Sequence, residues 1–358
     1  MKVLVDMLPV SYSHLNGVFV YGMRVIDGWY RAGIKDVTIL TTSWLAENII
    51  LPKCPDYKVL TIEIPDIGYT RKCMKVGRLR KKVIDASGCD IVFSPLPEPF
   101  YYQTLNLPQV SVIHDMAQGQ RRWYQMHLLF PWQRIHCKKL IYITRYTKEQ
   151  AHKQSPLLRL VPFDVIYNGV PFDTKQYAPI VAEKYILCIN TLSKYKNADT
   201  LVKAFGLIKD QIEENLILVG SDVDGRWNEL QLLATQYGCS DRVIRLSELS
   251  NEDIVSLYQH ASLFVTPSTY EGFGYTPIEA AMYCCPVVSS KCTALPETTK
   301  GLLNYYEPVM SESALAHKML EVLCNNSGKE PLESISTIFR DAYNIEMQAL
   351  KLYKSLSI

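Results

Sequence analysis

The chain has 358 residues, 48% of them apolar and 21% charged, and its 38 lysines and arginines against 36 aspartates and glutamates leave a formal charge of +2. That length exceeds one ordinary core and implies about two domains, while the near-neutral balance argues against bulk nucleic-acid binding, which shows a basic excess. Ten cysteines, none spaced Cys-x-x-Cys, read as buried thiols of a reducing compartment rather than a disulfide or zinc framework.

Along the chain, short apolar runs alternate with helix-like segments, the pattern of a parallel α/β sheet. The opening Met1-Lys2-Val3-Leu4-Val5-Asp6 is too short an apolar run for a signal peptide, and no later stretch is long enough for a bilayer. Strands are predicted at Lys2–Val5, Val37–Thr41, Lys58–Ile62, Ile91–Ser94, Val110–Ile113 and Lys139–Ile143, with a first crossover helix over Val18–Ala32 closed by Gly33. Between Arg71 and Lys82 lie seven basic residues and no acidic one, interleaved with Met74, Val76 and Leu79. A solvated helix face is the commoner fate of such a run; a basic cluster with apolar spacing also suits an anionic membrane surface.

A connector with glycine, two prolines and little periodicity begins at Asn168-Gly169-Val170-Pro171 and reaches about Glu183. The expected division is therefore 1–170, a linker at 171–183, a second domain at 184–340 and a C-terminal helix at 341–358 packing back toward the first domain. The second half starts a fresh series of strands, Tyr185–Ile189, Leu216–Val219, Val243–Leu246, Ser262–Val265 and Pro286–Ser289. Helices are expected at Asp199–Ile208, Trp227–Tyr237, Asn251–His260 and Ser311–Cys324.

Tyr270-Glu271-Gly272-Phe273-Gly274-Tyr275-Thr276-Pro277-Ile278-Glu279 is the most informative segment. It sets two carboxylates eight residues apart, across a glycine turn between an apolar strand and a helix expected to begin near Thr276. Such a turn offers backbone N–H groups and a positive helix end to a phosphate. The same residues also spell a capping box, Thr276-x-x-Glu279 with Pro277 at the first helical position. Capping alone leaves Glu271, Gly272 and Gly274 unexplained, and Glu279 is compatible with both roles.

This block resembles the Glu-x7-Glu signature of retaining nucleotide-sugar glycosyltransferases of the large "group 1" family, glycosyltransferase family 4. The resemblance implies the GT-B architecture: two Rossmann-like, doubly wound parallel-sheet domains facing across a cleft. Three further segments match in order. Leu15-Asn16-Gly17-Val18 stands where the family has a glycine loop under the donor phosphate. Val112-Ile113-His114-Asp115 ends a strand in the His-Asp pair that touches the donor sugar. Asn190-Thr191-Leu192-Ser193-Lys194-Tyr195-Lys196-Asn197 carries the family's Lys-Asn but has Asn190 and Thr191 in place of Gly-Arg. Lys194 could replace the missing arginine, though an ammonium is a poorer fork for phosphate than a guanidinium.

What the resemblance implies is transfer of a sugar from a UDP-, GDP- or ADP-linked donor to a saccharide or lipid-linked saccharide acceptor, with retention, by a protein expected in the cytoplasm or peripheral on the inner face of the cytoplasmic membrane. His114, Lys196 and Glu271 would carry catalysis, with Asp115 a candidate sugar contact. Gly17, Thr191, Lys194, Lys196 and Glu271 through Thr276 would hold the donor, with Glu279 on the ribose and Glu248 and Leu249 near the nucleobase. No cofactor and no metal are expected. Asp222-Val223-Asp224 has the Asp-x-Asp pattern that binds a cation in another glycosyltransferase fold, but after an inner strand it reads as a loop. A sugar-nucleotide epimerase and a non-catalytic sugar-nucleotide-binding subunit stay open. An oxidoreductase is disfavoured, because no Gly-x-Gly-x-x-Gly follows the first strand.

Overall fold

The computed structural model describes residues 1–8, 17–64, 69–96, 105–116, 136–190, 192–222, 225–325 and 329–357. Leu15, Asn16, Thr191, Val223 and Asp224, and the side chains of Arg71 and Lys72, lie outside the described residues. The chain divides into two compact units, Met1–Pro171 with Tyr343–Ile358, and Phe172–Ala342.

The first unit is built on seven parallel strands: β1 (Val3–Asp6), β2 (Val37–Thr41), β3 (Lys58–Thr61), β4 (Ile91–Ser94), β5 (Gln109–Ile113), β6 (Lys139–Tyr142) and β7 (Phe163–Val165). Their order is β3-β2-β1-β4-β5-β6-β7. Every residue of β1, β2 and β4 is buried. Strands covered on both faces are predominantly apolar, with their few polar residues, Asp6, Thr38, Thr41 and Ser94, buried too, which is why these runs show no in-out alternation. Helices α1 (Gly17–Arg31), α2 (Tyr69–Asp85) and α3 (Arg145–Gln154) accompany the sheet.

The basic run of the sequence lies on α2, and its charges do not share one fate. Val76, Arg80 and Ile84, four residues apart, point inward. Arg80 is 4% exposed, and its Nε lies 2.6 Å from Oδ2 of Asp6 at the end of β1. Lys81 pairs with Asp85 at 3.0 Å. Arg80 must therefore be removed from any membrane-facing surface: a guanidinium in an apolar layer is tolerable only against a carboxylate. Lys75, Arg78, Leu79 and Lys82 occupy the outer face.

The second unit contains β8 (Tyr185–Ile189), β9 (Asn215–Val219), β10 (Val243–Leu246), β11 (Leu263–Thr266), β12 (Val287–Ser290) and β13 (Asn304–Tyr306). All are parallel, in the order β10-β9-β8-β11-β12-β13. Its helices of eight residues or more are α4 (Ala198–Ile208), α5 (Arg226–Gln236), α6 (Asn251–His260), α7 (Tyr275–Met282), α8 (Glu312–Cys324) and α9 (Lys329–Ala342). Leu201 and Phe205 of α4 pack with Leu216 and Leu218 of β9 and with Leu315 and Met319 of α8. Residues at the start of this unit run along α6: the N–H of Tyr177 donates to Gln259 at 3.0 Å and Ser256 donates to the carbonyl of Ala178 at 2.7 Å.

The last helix, α10 (Ile345–Leu356), belongs to the first unit and lies on α1. Buried Trp29 donates Nε1–H to the carbonyl of Ala349 at 2.7 Å. At Gly28 a Cβ would come within 2.6 Å of the Ala349 Cβ and 2.9 Å of the Ile345 carbonyl oxygen. Only a glycine lets the two helices approach this closely. Among the described residues no helix is long and apolar enough to cross a membrane.

Overpacking costs of about 1–3 kcal/mol are typical where backbone has to move. Gly28→Val should therefore lower the thermal midpoint and expose α10 to protease; an unchanged midpoint would mean that α10 does not rest on Gly28.

Candidate active site

In a doubly wound sheet, ligands collect at the carboxyl ends of the strands where strand order reverses. In the second unit that place lies between β8 and β11, which are hydrogen-bonded neighbours. The loop after β8 carries Lys196 and the loop after β11 carries Glu271. Their side chains meet, Lys196 Nζ to Glu271 Oε1, at 2.7 Å, with 16% and 14% of the two side chains exposed. Burial works against the Lys196 charge, but the Glu271 carboxylate outweighs it and holds the ammonium above the ordinary lysine range. Lys194, on the same short helical turn, is exposed.

The loops are also joined through their backbones. Thr269 gives both its N–H, at 2.8 Å, and its hydroxyl, at 3.0 Å, to the carbonyl of Tyr195. Asn197 adopts the left-handed conformation, φ +58°, just before α4, and its buried side chain donates to the carbonyl of Pro267 at 3.0 Å and that of Val309 at 3.2 Å. The Lys-Asn pair thus divides its labour: Lys196 presents charge, and Asn197 fastens the loop that carries it. Asn190 turns its amide to Cys188 Sγ at 3.2 Å. Thr191 lies outside the described residues.

Beyond Glu271 the chain passes through Gly272 and buried Phe273 to Gly274, whose φ is +80° and where a Cβ would lie 2.4 Å from Leu295 Cδ2. Helix α7 begins at Tyr275 with Gly274 as its N-cap. The capping box read from Thr276 and Glu279 is therefore not formed as a cap: Thr276 and Pro277 sit inside the first turn, each two residues late for its role. A left-handed glycine ends the loop two positions earlier than the side-chain pattern indicates. Glu279 instead accepts a hydrogen bond on Oε2 from the Tyr258 hydroxyl at 3.0 Å. Tyr258 is buried and its ring stacks on Tyr283 at 6.0 Å between centroids.

The segment expected near a nucleobase follows β10: Glu248 is exposed in the left-handed region, φ +58°, and Leu249 is half-buried. Asp222 accepts the Trp227 N–H at 3.1 Å and lies 4.0 Å from Arg245, so it supports the turn into α5. Asp224 lies outside the described residues.

In the first unit, Gly17 opens α1, and among the described residues nothing lies within 4 Å of where its Cβ would be. His114 follows β5; its Nε2 donates to the Pro95 carbonyl at 2.7 Å and its ring meets Tyr21 edge-on at 4.7 Å. Because a carbonyl can only accept, Nε2 carries the proton and Nδ1 the lone pair. Burial pushes the His114 pKa down, against smaller upward pulls from that bond and from Asp115. Asp115 itself is exposed.

Two residues with no sequence signal stand behind the carboxylates. Tyr258 holds Glu279, and Thr293 holds the backbone of Glu271, accepting its N–H at 2.9 Å and donating to its carbonyl at 3.0 Å. They lie 21 and 22 positions from their partners, too far for any local pattern to reveal.

Two parallel doubly wound sheets make this a GT-B protein, and the comparisons with known proteins agree. Over its whole length it superposes on sucrose-phosphate synthase from Thermosynechococcus elongatus with a TM-score of 0.80 at 18% identity, covering 99% of both chains. On Anabaena HepE in complex with UDP and glucose the TM-score is 0.79 at 17% identity, covering 100% of this chain and 99% of the other. Residues 171–337, nearly the whole second unit, match the family described as glycosyl transferases group 1. Escherichia coli O-antigen chain mannosyltransferase B is 32% identical over 147 residues, 41% of this chain and 38% of the relative. The chain spans less than half the length of the curated relatives it matches.

Removing the Tyr258 hydroxyl should free the Glu279 carboxylate while keeping the ring, so Tyr258→Phe should cost about 0.5–1.5 kcal/mol of stability; a melt within error of wild type would contradict the contact. For His114 the folded pKa lies below the ordinary value of 6.5. Its contribution to stability is thus present above about pH 6.5 and lost as pH falls through the folded value. His114→Gln should flatten the acid side of a midpoint-against-pH curve, and an unchanged slope would count against a half-buried neutral imidazole.

Proposed function

We propose that this protein transfers a glycosyl group, with mannosyl the first candidate, from a nucleotide-sugar donor to a saccharide or lipid-linked saccharide acceptor, retaining the anomeric configuration. The observation that carries the reading is the Lys196–Glu271 pair, set where β8 and β11 deliver ligand-binding loops. The name of the mannosyltransferase relative supports the sugar, and the glucose and UDP bound to HepE support a nucleotide-linked donor.

The chemistry needs a stabilised diphosphate leaving group. A lysine ammonium and the N-terminal N–H groups of α7 supply positive potential that does not have to reorganise as charge develops. In the bare chain Glu271 neutralises Lys196. A diphosphate competing for the ammonium would release part of the Glu271 carboxylate toward the sugar. Glu279, fixed by Tyr258, is assigned to the ribose hydroxyls. Glu271 is not cast as a covalent nucleophile; the departing phosphate takes the acceptor's proton on the same face. His114 offers a neutral ring with Nδ1 as an acceptor for a sugar hydroxyl. Neither cofactor nor metal is assigned a role.

A thermal-shift panel of UDP-, GDP- and ADP-sugars identifies the donor, since binding raises the midpoint in step with occupancy. With that donor and an acceptor, Lys196→Ala and Glu271→Ala should each lower turnover by at least about tenfold, near 1.4 kcal/mol. Lys194→Ala should change it little. Equal, small effects of both lysines would sink the assignment, and a loss of activity in EDTA restored by manganese would return Asp222 to consideration.

We place the activity at the cytoplasmic face of a membrane, held there by the outer face of α2. Lys75, Arg78 and Lys82 flank exposed Leu79 on that face, and each well-placed basic residue is worth about 1 kcal/mol on an anionic surface. Changing these three to Ser should abolish salt-sensitive co-sedimentation with anionic vesicles; absence of wild-type binding at low salt ends this part of the proposal.

A further inference from the structure

The loop bearing Glu271 is strapped from behind by residues 290–298. The Ser290 hydroxyl and Cys292 Sγ both reach the Ser268 carbonyl, at 2.6 and 3.0 Å, and the Thr298 hydroxyl donates to the Phe273 carbonyl at 2.7 Å. Thr293 differs from these in what it holds. Its one hydroxyl accepts the Glu271 N–H at 2.9 Å and donates to the Glu271 carbonyl at 3.0 Å, closing both backbone groups of a single residue. To do so it sits at φ +48°. That region is unfavourable for a β-branched side chain and costs glycine nothing.

A position kept for loop stability alone would be better served by glycine. Threonine there accepts strain and supplies a hydroxyl, and such outliers persist where the surroundings over-determine them for function. With its carboxylate on Lys196 and its backbone on Thr293, Glu271 is held at both ends. Without the Thr293 hydroxyl the Glu271 backbone would keep only the long Ala294 N–H bond to its carbonyl, 3.4 Å, so the peptide next to Gly272 would gain freedom and the flexible Lys196 side chain could follow the carboxylate out of place.

We propose that Thr293 is a positioning residue for glycosyl transfer: its hydroxyl locks the Glu271 backbone so that carboxylate and ammonium are presented to the donor in one arrangement. This rests on the reading that Glu271 and Lys196 meet the donor. Stability and turnover should consequently respond differently to substitution.

The test uses the full chain with GDP-mannose and UDP-glucose as donors, comparing wild type with Thr293→Val, Thr293→Ser, Thr293→Gly and Glu271→Ala. Valine keeps the shape and strain without the hydroxyl, serine keeps the hydroxyl, and glycine removes both hydroxyl and strain. The Val and Gly variants should lose about tenfold or more in kcat, with GDP or UDP affinity by calorimetry within about threefold of wild type. Their Glu271 amide should exchange faster with solvent, Ser should stay within about twofold of wild-type kcat, and Gly should melt at or near the wild-type midpoint. Should the Val variant fail to fold, the Gly variant, which adds no bulk, decides. Near-wild-type turnover in Thr293→Gly beside an impaired Glu271→Ala overturns the inference, as does a Ser variant as slow as Val. Normal turnover in Glu271→Ala instead overturns the reading of the site itself.

Discussion

The Lys196–Glu271 ion pair is the contact on which the second unit's loop arrangement converges. Both side chains are largely buried. A pair in such a place recovers little more than its own desolvation cost, and an apolar replacement would serve stability as well. Its value is therefore in what it holds ready: a cation at the switch point of a parallel sheet, on a loop with little freedom to move. Thr269 bonds the two loops together, Asn197 anchors one to Pro267 and Val309, and Thr293 anchors the other.

Backbone strain follows the same distribution. Among the described residues, the non-glycine positions in the left-handed region are Asn197, Glu248, Cys284, Thr293 and Lys300, all in the second unit. Asn197 belongs to the loop that carries Lys196, Thr293 to the segment after β12 that holds the Glu271 loop, and Glu248 to the loop after β10. Cys284 is the turn out of α7, at φ +59°, where the chain reaches Pro286 without a glycine. Strain of this kind needs surroundings rigid enough to hold it, and the buried strands and core of this unit provide them.

Much of the architecture was legible because parallel strands are apolar along their whole length and helices have their own period. β2, β4, β8 and β10 run from Val37, Ile91, Tyr185 and Val243 as their sequences indicate. β7 and β13 were not legible: each has three residues, and Phe163-Asp164-Val165 and Asn304-Tyr305-Tyr306 carry no apolar run. The basic stretch on α2 showed its charge but not its partition, since Arg80 is decided by Asp6, 74 residues away. The capping box fails to form for a related reason. Thr276 and Glu279 have the right spacing, yet the N-cap is Gly274, left-handed and at a place where a Cβ would meet Leu295.

By itself the sequence determined the two-unit α/β plan, the segments that supply charge, and the candidacy of Lys196, Glu271 and Glu279, because strand content, glycine turns and local spacing are properties of neighbouring residues. Only the tertiary structure decided who meets whom: Lys196 with Glu271 across 75 residues, Glu279 with Tyr258 rather than with its own helix end, and Thr293 with the Glu271 backbone. Those pairings depend on strand order. β8 and β11 lie side by side although two strands separate them in sequence, and no spacing along the chain encodes that neighbourhood.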